Sequence, residues 1–219
     1  MRQLSLSALL LLCLANAFAQ RSNEFQIRLG YGVAVYEAKN SLEYDFGYFT
    51  IKEDTTDGAA TAHVPLELRY EITERFNAGL DLKFGRYLYE EGKQGNQSNN
   101  FWIAGVAGEF TAYNGADSRL YIGLGLNTGR LVLHDYGPGY ISDAVYKGGG
   151  FRVSTGFMFF IGQSPFGFNL NLNYDSHNFK LDDLTITNFV AGYTLNDFEG
   201  TLKVSGIEIN GGIVLRIRS

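Results

Sequence analysis

At 219 residues the chain has room for one or two domains, or for a single large β-domain. Charged residues are only 19% and glycines number 27, a charge-poor and glycine-rich balance beside the about 25% charged of ordinary soluble proteins. One cysteine excludes a disulfide framework and a four-cysteine zinc site, three histidines leave little for a histidine-rich metal centre, and a net charge of −5 argues against nucleic acid as the main partner.

The chain opens on a secretory leader pattern. Arg2 supplies a positive start, Leu4 to Leu14 an apolar stretch, and Ala17-Phe18-Ala19 a small-x-small cleavage site, so residues 1–19 are expected to be removed and 20–219 to fold. Cys13 follows Leu12, where a lipoprotein signal would carry a small residue. Beyond the leader no apolar run exceeds Phe157 to Ile161, which is far too short for a membrane-spanning helix.

The rest of the chain alternates with period two, the signature of strands with two unlike faces. Phe25, Ile27, Leu29, Tyr31, Val33 and Val35 share the first apolar face. Next come Val64 to Ile72 and Phe76 to Phe84, then Trp102 to Phe110 and Leu120 to Leu126. Phe151 to Ile161, Phe168 to Tyr174 and Ile207 to Ile217 complete eight strands, with no convincing helix. Breaks at 73–75, 114–118 and 162–167 are short and carry turn residues; those at 37–63, 89–100, 131–148 and 176–200 are long. Pro65 is expected at the start of its strand, where a missing donor is tolerated. Leu42, Tyr44, Phe46 and the stretch from Leu184 to Leu195 read as strand extensions or hairpins, since ten spanning strands would put the long loops on the wrong side.

Short turns at one end and long loops at the other describe an all-β, eight-stranded antiparallel up-and-down barrel crossing a bilayer, with periplasmic turns and extracellular loops. A soluble, lipocalin-like carrier would turn the same apolar rows inward around a ligand. Three features favour lipid: the apolar face is almost free of charge, the polar face is rich in Gly and Asn rather than Lys and Glu, and aromatics gather near strand ends. Phe25, Phe76, Tyr113 and Phe168 form one expected girdle, and Tyr36, Tyr87, Trp102, Phe151 and Tyr174 the other. The interior then receives Arg28, Arg69, Lys83, Arg152 and Arg216 against Glu67, Glu71, Asp81, Glu109, Asp175 and Glu208. An eight-stranded barrel holds only side chains, so these near-balanced charges are expected to pair and to plug the lumen.

This pattern resembles the small eight-stranded outer-membrane barrels of Gram-negative bacteria: the OmpA membrane domain, OmpX and OmpW. The resemblance runs over residues 24–217. It is carried by Val64-Pro65-Leu66-Glu67-Leu68-Arg69-Tyr70 with Thr73-Glu74-Arg75-Phe76, and by Asn210-x-Gly212-x-x-Leu215-x-Ile217 in the last strand. The latter is similar to the terminal signal read by the barrel assembly machinery, although that signal usually ends on an aromatic and this chain ends Ile217-Arg218-Ser219. The resemblance implies outer-membrane localisation, a lipid bilayer and lipopolysaccharide as surroundings, and no cofactor.

Some barrels of this size modify lipid A with a Ser-His-acid set, and Asp175-Ser176-His177 invites the comparison. In a strand Asp175 and His177 share a face while Ser176 points away, so the three cannot assemble locally. His134-Asp135 invites comparison with outer-membrane proteases, which are larger and use several acidic pairs; it reads, with Asp182-Asp183, as loop residues. His63 receives no role, and the glycines fit no nucleotide-binding pattern. The long loops carry fourteen acidic residues against five lysines. They are either simply solubilising or a contact surface for divalent cations or a basic partner, with Tyr44, Phe46, Tyr48, Phe49, Tyr136, Pro138 and Tyr140 as apolar anchors. The expectation is a structural or surface-interaction barrel; a lipid A-modifying enzyme and a soluble carrier are the alternatives.

Overall fold

A computed structural model describes residues 24–45, 48–88, 99–137, 140–162, 164–187 and 197–218. The leader reading for residues 1–19, and Phe46 and Pro138, lie outside them. The strands are β1 (Glu24–Asp45), β2 (Thr50–Thr73), β3 (Phe76–Leu88), β4 (Asn100–Asn114), β5 (Ser118–Gly137), β6 (Tyr140–Phe160), β7 (Phe166–Thr187) and β8 (Asp197–Arg218). Each pairs antiparallel with the next, and β8 returns to β1 to close the ring.

The alternation sorts the side chains by environment. Leu126 is 68% exposed on the outside of the wall, while Glu109 and Glu208 are 1% and 0% exposed within it. The aliphatic rows therefore face out and the acid and arginine rows face in, the reverse of a soluble carrier. In water such an exterior would forfeit about 25 cal/mol for each Å² of apolar surface left unburied. In hydrocarbon it costs nothing, and the closed ring leaves no unpaired backbone edge in the lipid. On β1 the outward apolar row runs from Phe25 to Val35, the length of one tilted crossing.

Three tight turns lie at one end. Thr73 Oγ1 accepts from the Phe76 amide at 3.1 Å, the Gly115 amide donates to Ser118 O at 2.8 Å, and Gly162 adopts φ +55° between β6 and β7. That left-handed conformation suits glycine because it has no Cβ to clash.

Several expectations need correction. Strands of 20 to 24 residues extend about 70 Å at roughly 3.3 Å per residue, well beyond a crossing of about 10 residues. The described parts of the segments at 37–63, 131–148 and 176–200 are thus largely strand, as expected for Leu42, Tyr44 and the residues from Leu184 to Thr187 but not for the rest: β1 and β2 stay paired to Asp45↔Thr50, and β5 and β6 to Gly137↔Tyr140. Residues 50–58 of β2 are exposed on both faces, so no alternation betrays them. Pro65 sits well inside β2, not at its start. Its missing amide leaves its mark toward β1, where the ladder skips from Leu29↔Leu66 to Gly32↔His63. Tyr36 is turned inward and buried, and Tyr87 packs against the interior, so neither belongs to the outer aromatic girdle.

Candidate functional site

The lumen has two layers. In the layer nearer the tight turns, β1, β2, β3, β4, β6, β7 and β8 each contribute charged side chains at inward positions. Arg28 grips Glu109 with both guanidinium nitrogens, at 2.8 and 2.7 Å, and reaches Glu67 at 3.2 Å. Arg69 donates to Glu109 at 2.7 Å and contacts Asp81 at 2.6 Å. Asp81 is the link onward to Arg152 at 3.4 Å, which donates to Asp175 at 2.9 Å. Lys83 contacts Asp175 at 2.8 Å and is bonded to Glu208. The chain of pairs therefore joins Arg28, Arg69, Arg152 and Lys83 with Glu67, Glu109, Asp81, Asp175 and Glu208, all buried. Fork-shaped Arg–carboxylate pairing of this kind is both strong and directional.

Uncharged groups complete it. Gln26 accepts from Arg28 at 2.9 Å, and Asn173 and Asn210 donate to Glu208 at 2.8 and 3.0 Å. The Arg28 guanidinium lies over the Tyr121 ring at 4.7 Å, and the Tyr121 hydroxyl bonds Asn171. His63, which the sequence pattern left without a role, is buried with Nε2 3.3 Å from Glu208.

Two predicted members stand apart. Glu71 is at the rim, 3.8 Å from Arg119. Arg216 is level with the β6–β7 turn, where it donates to the carbonyls of Ser164 (3.0 Å) and Gly162 (3.2 Å) and lies over the Phe160 ring at 4.0 Å. Its partners are backbone because it sits beyond the acids. Glu24, which receives Arg119 at 2.7 Å, shares the inward parity of Arg28, the signal by which the sequence marks it.

The second layer, toward the long hairpins, is apolar: Tyr36, Phe101, Ile103, Leu131, Tyr146, Phe179, Leu202 and Val204 are buried together. Leu131 is 0% exposed. Polar pairing thus lies nearer the tight turns and a packed apolar layer nearer the long hairpins.

The model of the outer membrane protein beta-barrel domain matches residues 5–198. The chain belongs to this outer-membrane barrel family. It matches no curated protein. Among solved structures, OprG from Pseudomonas aeruginosa superposes with a TM-score of 0.64 at 15% identity, over 91% of this chain and 98% of its own. Ail of Yersinia pestis gives 0.41 at 16% identity (87% and 99%), and the Escherichia coli protease OmpT 0.44 at 10% (91% and 99%). At these identities the likeness concerns the fold.

In this outer-membrane barrel Asp175 and His177 point inward and Ser176 lies on the other face, lining an outer groove. The His177 ring stacks on Phe179 at 5.5 Å. His134 pairs with Asp143 across the β5–β6 hairpin at 2.6 Å, and Asp182 with Lys147 at 2.7 Å, so both sit on strands rather than loops. Among the described residues, no cluster of three or more His, Cys, Asp or Glu could hold a metal ion. Beyond the lipid band, bonding to Glu37 raises the pKa of Lys39 above its ordinary value, and Glu43 does the same for Lys52.

Proposed function

We propose that this outer-membrane barrel is a closed scaffold that presents its long hairpins to the exterior, with no enzymatic chemistry of its own. The observation that carries this is a continuous ion-pair chain from Arg28 to Glu208 beneath a packed apolar layer. Unpairing buried charges costs several kcal/mol, which favours a plug over a pore. Asn210, Gly212, Leu215 and Ile217 lie in β8, the strand that closes against β1, a position suited to reading by the barrel assembly machinery. Acidic residues on the hairpins, Glu43, Glu53, Asp54 and Asp57 among them, suit contact with divalent cations at the lipopolysaccharide surface or with a basic extracellular protein.

The test is twofold. Purified protein in a planar bilayer is expected to give no large, steady conductance, and lipid A from cells with and without the gene is expected to have the same mass spectrum. Porin-like openings overturn the closed lumen, and a changed lipid A revives the enzyme.

A further inference from the structure

The outward face of the wall carries a second pattern. Along β5, outward apolar residues run to Leu126, yet the buried Leu131 has the opposite parity. β7 and β8 repeat the switch: Tyr174 and Ile207 face out, while Phe179 and Leu202 face in. Past that switch the outward positions hold cations: Arg86 on β3, Arg130 on β5, Lys147 on β6, Lys180 on β7, Lys203 on β8 and Lys39 on β1.

Their register brings like charges together. Lys147 stands directly opposite both Arg130 and Lys180, and Lys39 directly opposite Lys203. Like charges facing each other across strands are destabilising unless something anionic lies between them. Lys39 and Lys147 reach Glu37 and Asp182, at 2.8 and 2.7 Å, but Arg130, Lys180 and Lys203 make no ion pair among the described residues. At the tight-turn end the described residues place no lysine at all, and Arg218 there is bound to Glu24.

Between the two lysine pairs runs an outer groove of about 380 Å³ lined by Lys39 with its partner Glu37, by Lys203, and by Gly149, Gly150, Phe151 and Ser176, so that Lys203 is its unpaired cation among the described residues. Its upper end is cationic, and Phe151 continues into the apolar rows below. We propose, resting on the reading that the long hairpins face the exterior, that this girdle binds the phosphate groups of a bis-phosphorylated lipid headgroup in the outer leaflet, with the acyl chains lying along Phe151 and Tyr174. The height is right for a headgroup, because the cations begin two to six residues beyond the last outward apolar side chains, four on most strands. The sign is right for phosphate, and the acidic hairpins above repel such groups down toward the girdle.

The single tryptophan, Trp102, lies on the outward face directly opposite Arg130, and its fluorescence reports arrival of a lipid. The full protein in non-ionic detergent is titrated with diphosphoryl lipid A, with lipid A stripped of phosphate, and with inorganic pyrophosphate. Each interfacial cation contributes roughly fivefold to binding of an anionic lipid surface. The Lys147→Ser/Lys180→Ser/Lys203→Ser variant is therefore expected to bind diphosphoryl lipid A at least about tenfold more weakly, and the matching Lys→Arg variant to keep most of the affinity. Dephosphorylated lipid and free pyrophosphate are expected to bind weakly. Equal binding by the serine variant or by dephosphorylated lipid overturns the proposal, and so does pyrophosphate binding as tightly as the lipid. A heat-modifiable gel band confirms that every variant folds. Steady conductance with intact lipid binding would sink the closed-lumen function and leave this site standing.

Discussion

Lys83 is buried between Asp175 and Glu208, and Asp175 in turn holds Arg152. Replacing Lys83 with Met leaves both carboxylates short of a cation in a site they cannot leave. Breaking a buried pair in this way costs about 3–5 kcal/mol, well above the 0–1 kcal/mol of an exposed pair. Lys83→Met should therefore lower urea-unfolding stability in detergent by that amount, whereas Lys52→Met, which removes the exposed pair with Glu43, should change it by less than about 1 kcal/mol. Glu109→Gln probes the other end of the chain of pairs. It removes one charge from between Arg28 and Arg69 and is expected to be comparably destabilising, because both guanidinium groups lose their shared anion. If both lumenal variants unfold like the unsubstituted protein, the network contributes little to holding the wall together.

A strand here has two regimes along its length. Within the lipid band, one face must be apolar and the other can be charged, so residues such as Leu120, Ile122 and Leu124 announced their strand and their outward direction in advance. From the same parity came the inward placement of Arg28, Glu67, Arg69, Asp81, Lys83, Glu109, Arg152, Asp175 and Glu208. Beyond the band both faces meet water, and residues 50–58 carry no periodic signal although β1 pairs with them throughout. The apolar upper lumen was hidden for a related reason. Phe101, Leu131 and Phe179 are apolar and inward, but alternation alone gives the spacing of a row and not the point at which it changes face. The opposite parity of Leu131 and Leu126 carried that information, and Arg130 beside it marks the change. This division yields a prediction at the level of the element. Leu124→Arg, near the middle of the outward row of β5, should cost roughly 2–4 kcal/mol in bilayer unfolding measurements. Ile51→Arg on the β2 extension should fall within about 0.5 kcal/mol of no change. Equal costs at the two sites would mean that the extension is immersed in lipid too.

At the scale of the whole molecule, the proposed closed lumen would have two independent seals, because its two layers exclude ions by different means. The charged layer is impassable while its pairs hold, since a permeating ion must separate partners that have little water to replace them. The apolar layer offers few polar groups to solvate an ion, chiefly the Tyr36 and Tyr146 hydroxyls at its margins, and would close by staying dry. Two seals in series make the barrier insensitive to losing either one. In a planar bilayer, Lys83→Met alone should remain non-conducting, because Phe101, Leu131 and Phe179 still close the upper half. Phe101→Ser/Phe179→Ser should also remain non-conducting: water then reaches the upper layer, but the pairs from Arg28 to Glu208 still stand beneath it. Only the combination is expected to open a steady ion path. Detergent-folded samples with the heat-modifiable band intact keep this measurement separate from unfolding. Conductance from Lys83→Met alone would show that the apolar layer is no seal, and conductance from the double serine variant alone would say the same of the ion pairs.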